Sequence, residues 1–104
     1  MTRFFDTHAH LIDPAFDNRV DEMLEQAKRA GVEAILCVGT TRITSGECWQ
    51  LAKHASSVFA AVGIHPNYVH QSNQQDWIDI LSWLEENQRL PLSEQRIKAI
   101  GETG

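Results

Sequence analysis

Apolar residues are arranged in two different patterns along the chain. Nearly continuous apolar runs at 3–6, 33–39, 58–65 and 97–102 predict four β-strands. Between these runs, apolar residues recur every three or four positions, as they do on one face of an amphipathic helix. Parallel strands are joined by crossover connections, usually helices that cover the sheet. This order therefore predicts an α/β fold with four parallel strands and three intervening helices.

Each predicted helix has an apolar stripe that would face the sheet. The stripes are Val20, Met23, Leu24, Ala27 and Ala30 in the first helix, Cys48, Leu51, Ala52 and Ala55 in the second, and Trp77, Ile80, Leu81 and Leu84 in the third. Thr44 with Glu47, and Ser72 with Gln75, have capping-box spacing and predict where the second and third helices begin.

The strand centres recur about every 31 residues, which suits either a doubly wound sheet or a (β/α)8 barrel. No GxGxxG motif follows the first predicted strand. A dinucleotide-binding fold is therefore disfavoured.

The stretch DTHAH at residues 6–10 is the first candidate for chemistry. Successive side chains of an extended strand point to opposite faces, so Asp6, His8 and His10 share one face if this stretch stays extended. Two imidazoles in that position can reach one metal ion. Asp6 has two interpretations: it accepts a hydrogen bond from a backbone amide, or it orients a histidine.

Polar residues follow all four predicted strands. They are His8 and His10, Thr40 and Thr41, His65, and Glu102, in strand order. In parallel β/α folds ligands bind at the carboxyl ends of the strands, so these residues predict one site. For His65, which precedes Pro66, a strand-ending turn is the alternative. Glu102 alone would be a loop carboxylate, whereas together with the two histidines it is a candidate metal ligand.

Composition narrows the possible partners. The 104 residues suit one small domain, and the net charge of −5 disfavours a broad electrostatic contact with nucleic acid or an anionic membrane. A nuclease that binds phosphates through metal ions remains compatible with that charge. The apolar runs are too short to span a membrane, and no secretory signal is evident. Cys37 and Cys48 form no CxxC motif, so we expect a cytoplasmic protein with reduced thiols, both in the core.

Three stretches in this order resemble the TatD family of metal-dependent deoxyribonucleases. They are DTHAHL (6–11), VGIHP (62–66) and AIGETG (99–104). The resemblance covers the whole chain and implies a (β/α)8 TIM barrel, of which residues 1–104 would be a truncated N-terminal half. It also implies an enzyme that hydrolyses phosphodiester bonds of DNA, typically as a deoxyribonuclease and sometimes with 3′ to 5′ exonuclease action, and we expect exonucleolytic cleavage.

The resemblance assigns roles to four residues. His8 and His10 resemble ligands of one divalent metal ion, and Glu102 resembles a carboxylate that bridges two ions. His65 resembles a pocket residue near the substrate phosphate, so Glu102 and His65 are the candidate catalytic residues. One or two ions are expected, and zinc, manganese and magnesium all remain possible.

The chain departs from the family pattern because it ends at Gly104, after four of the eight barrel strands. The later ligands of the family, two histidines and an aspartate, are absent. We therefore expect the 104-residue chain alone to be inactive or very weakly active. Its open strand edges predict self-association or a partner half-barrel. Two alternatives remain: a catalytically inactive remnant, or another amidohydrolase-type phosphoesterase or lactonase.

Overall fold

The computed structural model describes residues 3–12 and 18–101. Four strands alternate with three α-helices, and two short 3-10 helices follow β3 and α3. The elements are β1 (Phe4–Ala9), α1 (Val20–Arg29), β2 (Val32–Val38), α2 (Arg42–His54), β3 (Val58–Val62), a 3-10 helix (Pro66–Gln71), α3 (Gln74–Arg89), a 3-10 helix (Leu92–Glu94) and β4 (Ile97–Ile100). The strands are parallel in the order β1-β2-β3-β4, which confirms the predicted element order.

The core forms where β2 and β3 are covered by α2 and α3. In β3, Val58, Ala60 and Val62 have no exposed surface. Trp49 of α2 and Ile80 of α3 belong to the same buried cluster. Continuous apolar strands are stable in this position because helices exclude water from them.

The predicted starts of α2 and α3 are wrong, although both helices begin with a capping box. Thr41 accepts a hydrogen bond from the Thr44 amide (3.1 Å), and the Thr44 hydroxyl accepts one from the Thr41 amide (2.8 Å). Asn73 and Asp76 make the equivalent pair at α3. The capping residue needs an extended backbone, which Thr41 has (φ −137°, ψ 174°), whereas Thr44 is already helical.

The predicted apolar stripe of α3 is only partly confirmed. Ile80 is buried, but Trp77 and Leu81 are 39% and 58% exposed. The buried face of α3 instead runs from Ile80 to Asn87, seven residues and about two turns later. Leu81 lies about 100° around the helix from Ile80, which places it at the border with solvent.

Candidate active site

The two histidines of the DTHAH stretch lie at the carboxyl end of β1, on the exposed side of the fold. The Nε2 atoms of His8 and His10 are 3.1 Å apart, which is hydrogen-bond distance between the two rings. The two rings meet nearly edge to face, with centroids 4.9 Å apart and an interplanar angle of 78°. The alternation of side chains along an extended segment thus brings both imidazoles to one place.

This separation fits two ligands of one metal ion. Imidazole nitrogens bind zinc at about 2.0–2.1 Å, so two of them on one ion lie roughly 2.9–3.4 Å apart for octahedral to tetrahedral angles. The 3.1 Å between the two Nε2 atoms falls inside that interval. Among the described residues, His8 and His10 are therefore a pair whose spacing is compatible with one metal ion.

Asp6 accepts a hydrogen bond through Oδ1 from the backbone amide of His8, at 3.0 Å. Of its two sequence interpretations, this contact matches the first, in which the carboxylate holds a backbone amide. Because that amide belongs to His8 itself, the carboxylate restrains the backbone from which the imidazole projects.

Thr40 and Thr41, which follow β2, serve the start of α2. Both backbone amides donate to the Thr44 hydroxyl, at 2.9 and 2.8 Å. The Thr40 carbonyl accepts a hydrogen bond from the His65 amide (2.8 Å), which ties the end of β2 to the end of β3. The two threonines thus hold the backbone of the site together.

Ser45 is a residue of this region that sequence reasoning missed. It has no exposed surface, its Oγ donates to the Gly63 carbonyl, and the same Oγ accepts from the Gly63 amide, both at 3.0 Å. Gly63 in turn lies against Gly101, the residue that follows β4, since a Cβ at position 63 would be 2.9 Å from the Gly101 carbonyl oxygen. The sequence did contain a signal for Ser45: it lies three residues before Cys48, which places its hydroxyl on the buried stripe of α2.

His65 directly precedes the 3-10 helix that follows β3 and caps its start. Its Nδ1 accepts a hydrogen bond from the Asn67 amide at 3.1 Å, and its ring meets the Tyr68 ring with centroids 6.2 Å apart. This geometry matches the alternative interpretation, a turn that ends the strand. It is also compatible with a binding role, because a neutral imidazole that accepts at Nδ1 carries its proton on Nε2.

Glu102, the predicted bridging carboxylate, lies outside the described residues, directly after Gly101. Across 3–12 and 18–101 no group of three or more His, Cys, Asp or Glu side chains is positioned to hold a metal ion. The structure therefore places the histidine pair of the predicted site and leaves its carboxylate untested. In the same ranges, no helix is long and apolar enough to cross a membrane.

Known proteins match this chain over nearly all of its length. The family model described as TatD related DNase matches residues 5–104. The uncharacterized metal-dependent hydrolase YabD of Bacillus subtilis is 33% identical over 100 residues, which are 96% of this chain and 36% of YabD. The 3'-5' ssDNA/RNA exonuclease TatD of Cronobacter turicensis is 29% identical over 103 residues, which are 96% of this chain and 35% of that protein.

A solved structure agrees with the fold. The crystal structure of YjjV, a TatD homolog from Escherichia coli K12, superimposes with a TM-score of 0.83 at 28% identity. The match covers 96% of this chain and 36% of YjjV. This agreement confirms the predicted fold class, four parallel strands of a TIM barrel with helices between them. The chain spans about a third of the length of these relatives.

Proposed function

We propose that this chain supplies the first metal ligands of a hydrolase that cleaves phosphodiester bonds in DNA. The proposal proceeds from family membership, since the chain belongs to the TatD related DNase family. The observation that carries the proposal is the 3.1 Å approach of the His8 and His10 Nε2 atoms at the carboxyl end of β1. Ligands bind at this end of the strands in parallel β/α folds.

The histidine pair is the first part of the proposed site. A divalent ion, when bound, would neutralise phosphate charge and lower the pKa of a bound water. His8 and His10 would hold that ion through Nε2, and Asp6 would restrain the His8 backbone. In the proposal Glu102 adds the carboxylate ligand, as the family resemblance implies.

His65 would act on the substrate rather than on the metal. Since its Nδ1 accepts the Asn67 amide, its Nε2 proton is the one it can offer to a phosphate oxygen. The hydrogen bond from its backbone amide to Thr40 fixes its position relative to the end of β2. This role gives an acidic chain, with a net charge of −5, a donor for an anionic substrate.

Exonucleolytic cleavage of DNA is the finer part of the proposal. It draws on the relative named as a 3'-5' ssDNA/RNA exonuclease, which matches 96% of this chain. The identity of the metal, a cytoplasmic location and the treatment of 1–104 as one truncated hydrolase domain stay predictions. Little or no activity of the isolated chain is also a prediction. Its basis is that the described part of the chain contains a histidine pair rather than a full ligand set.

Zinc binding by the purified 104-residue chain tests the histidine pair directly. We expect calorimetry to detect binding that is lost in the double variant His8→Ala, His10→Ala. His54→Ala is the matched control, because it removes an exposed imidazole at the far end of α2. Unchanged binding in the double variant would contradict the assignment of the ligands.

The catalytic part of the proposal needs a separate assay. End-labelled single-stranded DNA is incubated with the chain and a divalent metal ion, with and without a chelator, and products are resolved on a denaturing gel. We expect little or no cleavage by the 104-residue chain. Strong chelator-sensitive cleavage would contradict the need for further ligands, while cleavage of a lactone or phosphate monoester but not of DNA would favour the amidohydrolase-type alternative.

A further inference from the structure

Two cysteines lie in contact inside the core, and one of them, Cys37, is the sheet partner of Ala9, which lies between the two site histidines. Cys37 of β2 and Cys48 of α2 have their Sγ atoms 3.0 Å apart, and neither residue has exposed surface. Both are free thiols. A disulfide has an S–S length of about 2.05 Å, so a closure of roughly 1 Å would join them.

The surroundings of the pair make its two sulfurs unequal. The hydrogen bond with Cys48 lowers the pKa of Cys37, and this effect outweighs burial, which acts in the opposite direction. The same contact and burial raise the pKa of Cys48. Backbone groups of Leu11 and Ile12 also favour the charged form of Cys37. Since the thiolate is the reactive form, Cys37 is the sulfur that would react first.

We propose that Cys37 and Cys48 form an oxidation site, at which a peroxide converts the two contacting thiols into an intrachain disulfide. Because neither sulfur has exposed surface, the reaction requires an oxidant small enough to enter the core. The Cys37 thiolate attacks one peroxide oxygen, the O–O bond breaks, and protonation of the leaving oxygen gives water and a Cys37 sulfenic acid. The Cys48 sulfur then attacks the Cys37 sulfur, and its proton leaves with the hydroxyl as a second water.

The crosslink would fasten β2 to the middle of α2. It would close the segment 37–48, which contains Thr40, Thr41 and Ser45, the residues that join the ends of β2, α2 and β3. Closing a loop restricts the unfolded chain, and the sulfurs are already in contact in the folded one. We therefore expect the oxidised protein to unfold at a higher denaturant concentration than the reduced protein.

Peptide mapping can detect the crosslink without ambiguity, because trypsin cuts after Arg42, between the two cysteines. The folded chain is treated with hydrogen peroxide, quenched with catalase, unfolded and alkylated. We expect peptides 30–42 and 43–53 to appear joined, with an intact mass about 2 Da lower and no alkylated thiol. Dithiothreitol should separate the two peptides and return the unfolding midpoint to its original value.

Two single variants, Cys37→Ser and Cys48→Ser, are matched controls because each keeps one thiol of the pair. Neither should give a joined peptide or an upward shift of the midpoint after peroxide. In the unsubstituted chain, two alkylated thiols after peroxide, or sulfinic acid on separate peptides, would overturn the proposal. A joined peptide without a rise in the midpoint would overturn its structural consequence.

Discussion

Two regions of the sheet differ in what their residues contribute: the buried side, which is β3 with the helices that cover it, and the exposed side, which is the edge strand β1. Along β3, Val58, Ala60 and Val62 have no exposed surface, and β3 pairs with β2 without a break in register. Along β1, five of six residues are exposed, and its pairing with β2 contains two register shifts. The buried side supplies stability, whereas the exposed strand carries the histidine pair. We expect substitutions on the two sides to affect different measurements.

Polar side chains inside the buried side act as anchors for the backbone. Asn87 donates to the Ile97 carbonyl and accepts from the Ile97 amide, both at 3.1 Å. Ser45 does the same for Gly63 at 3.0 Å. Each side chain replaces the hydrogen bonds that a further strand residue would have supplied, which explains how polar groups remain in a closely packed core.

Shortening Ile80 should give the largest loss of stability. Ile80 is 2% exposed and belongs to the central cluster, so Ile80→Ala leaves a cavity and should cost about 2–5 kcal/mol of unfolding free energy. Guanidinium denaturation followed by circular dichroism measures the change. Ile78→Ala is the control on the same helix, because Ile78 is 49% exposed and should cost far less.

If Ile80→Ala does not fold, Ile80→Val tests the same point with a smaller expected loss, about 0.5–1.5 kcal/mol. Equal losses of unfolding free energy for substitutions at positions 80 and 78 would contradict the division between the two sides. Such a result would mean that burial in this cluster adds no stability.

Removing the Ser45 hydroxyl should have the next largest effect. Ser45→Ala leaves the amide and carbonyl of Gly63 without this partner, and the expected cost is about 2 kcal/mol. Ser93→Ala, at an exposed position, should change stability by less than about 0.5 kcal/mol. A loss at Ser45 no larger than at Ser93 would mean that water replaces the hydroxyl and that the anchor is dispensable.

Apolar runs predicted where strands lie better than where they end. The run at 58–65 suggested a strand up to His65, but β3 ends at Val62 because both polar groups of Gly63 pair with Ser45. The run at 3–6 suggested a short first strand, yet β1 continues to Ala9, which pairs with Cys37. An apolar run reports burial rather than strand pairing. It therefore underestimates the length of an exposed strand and overestimates the length of a buried one.

The histidine pair could be anticipated because side-chain alternation along an extended segment is a local property. The anchors Ser45 and Asn87 could not be placed in the same way, since their partners, Gly63 and Ile97, are 18 and 10 residues away. In the sequence, each anchor is only a polar residue on an apolar stripe. That pattern marks a buried polar position, but it does not show which backbone groups the side chain bonds.

Replacing both site histidines should barely affect the stability of the metal-free chain. His8 and His10 are exposed, so the double alanine variant should unfold within about 0.5 kcal/mol of the original chain. Added zinc should raise the unfolding midpoint of the original chain only, because a ligand stabilises the state that binds it. A large loss of stability without metal would show that the exposed strand also supports the fold.

The smallest expected effect concerns Asp79 on the surface of α3. Gln75 donates to Oδ1 at 2.9 Å and Arg42 donates to Oδ2 at 3.0 Å, and these contacts lower the pKa of Asp79. A carboxylate with a lowered folded-state pKa favours folding above its unfolded-state pKa, about 3.9, and this contribution disappears as the pH falls through the folded-state value. The stability difference between the original chain and Asp79→Asn should therefore shrink from pH 5 to pH 2.

Denaturation curves at several pH values measure that difference, with Glu86→Gln as the control that removes one charge from the same helix. High salt should also reduce the effect of Asp79→Asn, because both side chains of the Arg42–Asp79 pair are partly exposed. A difference that stays constant between pH 5 and pH 2 would assign the role of Asp79 to its shape and hydrogen bonds. The contact between α2 and α3 would then depend on the buried cluster and on hydrogen bonds at Asp79 that do not require its charge, rather than on the ion pair with Arg42.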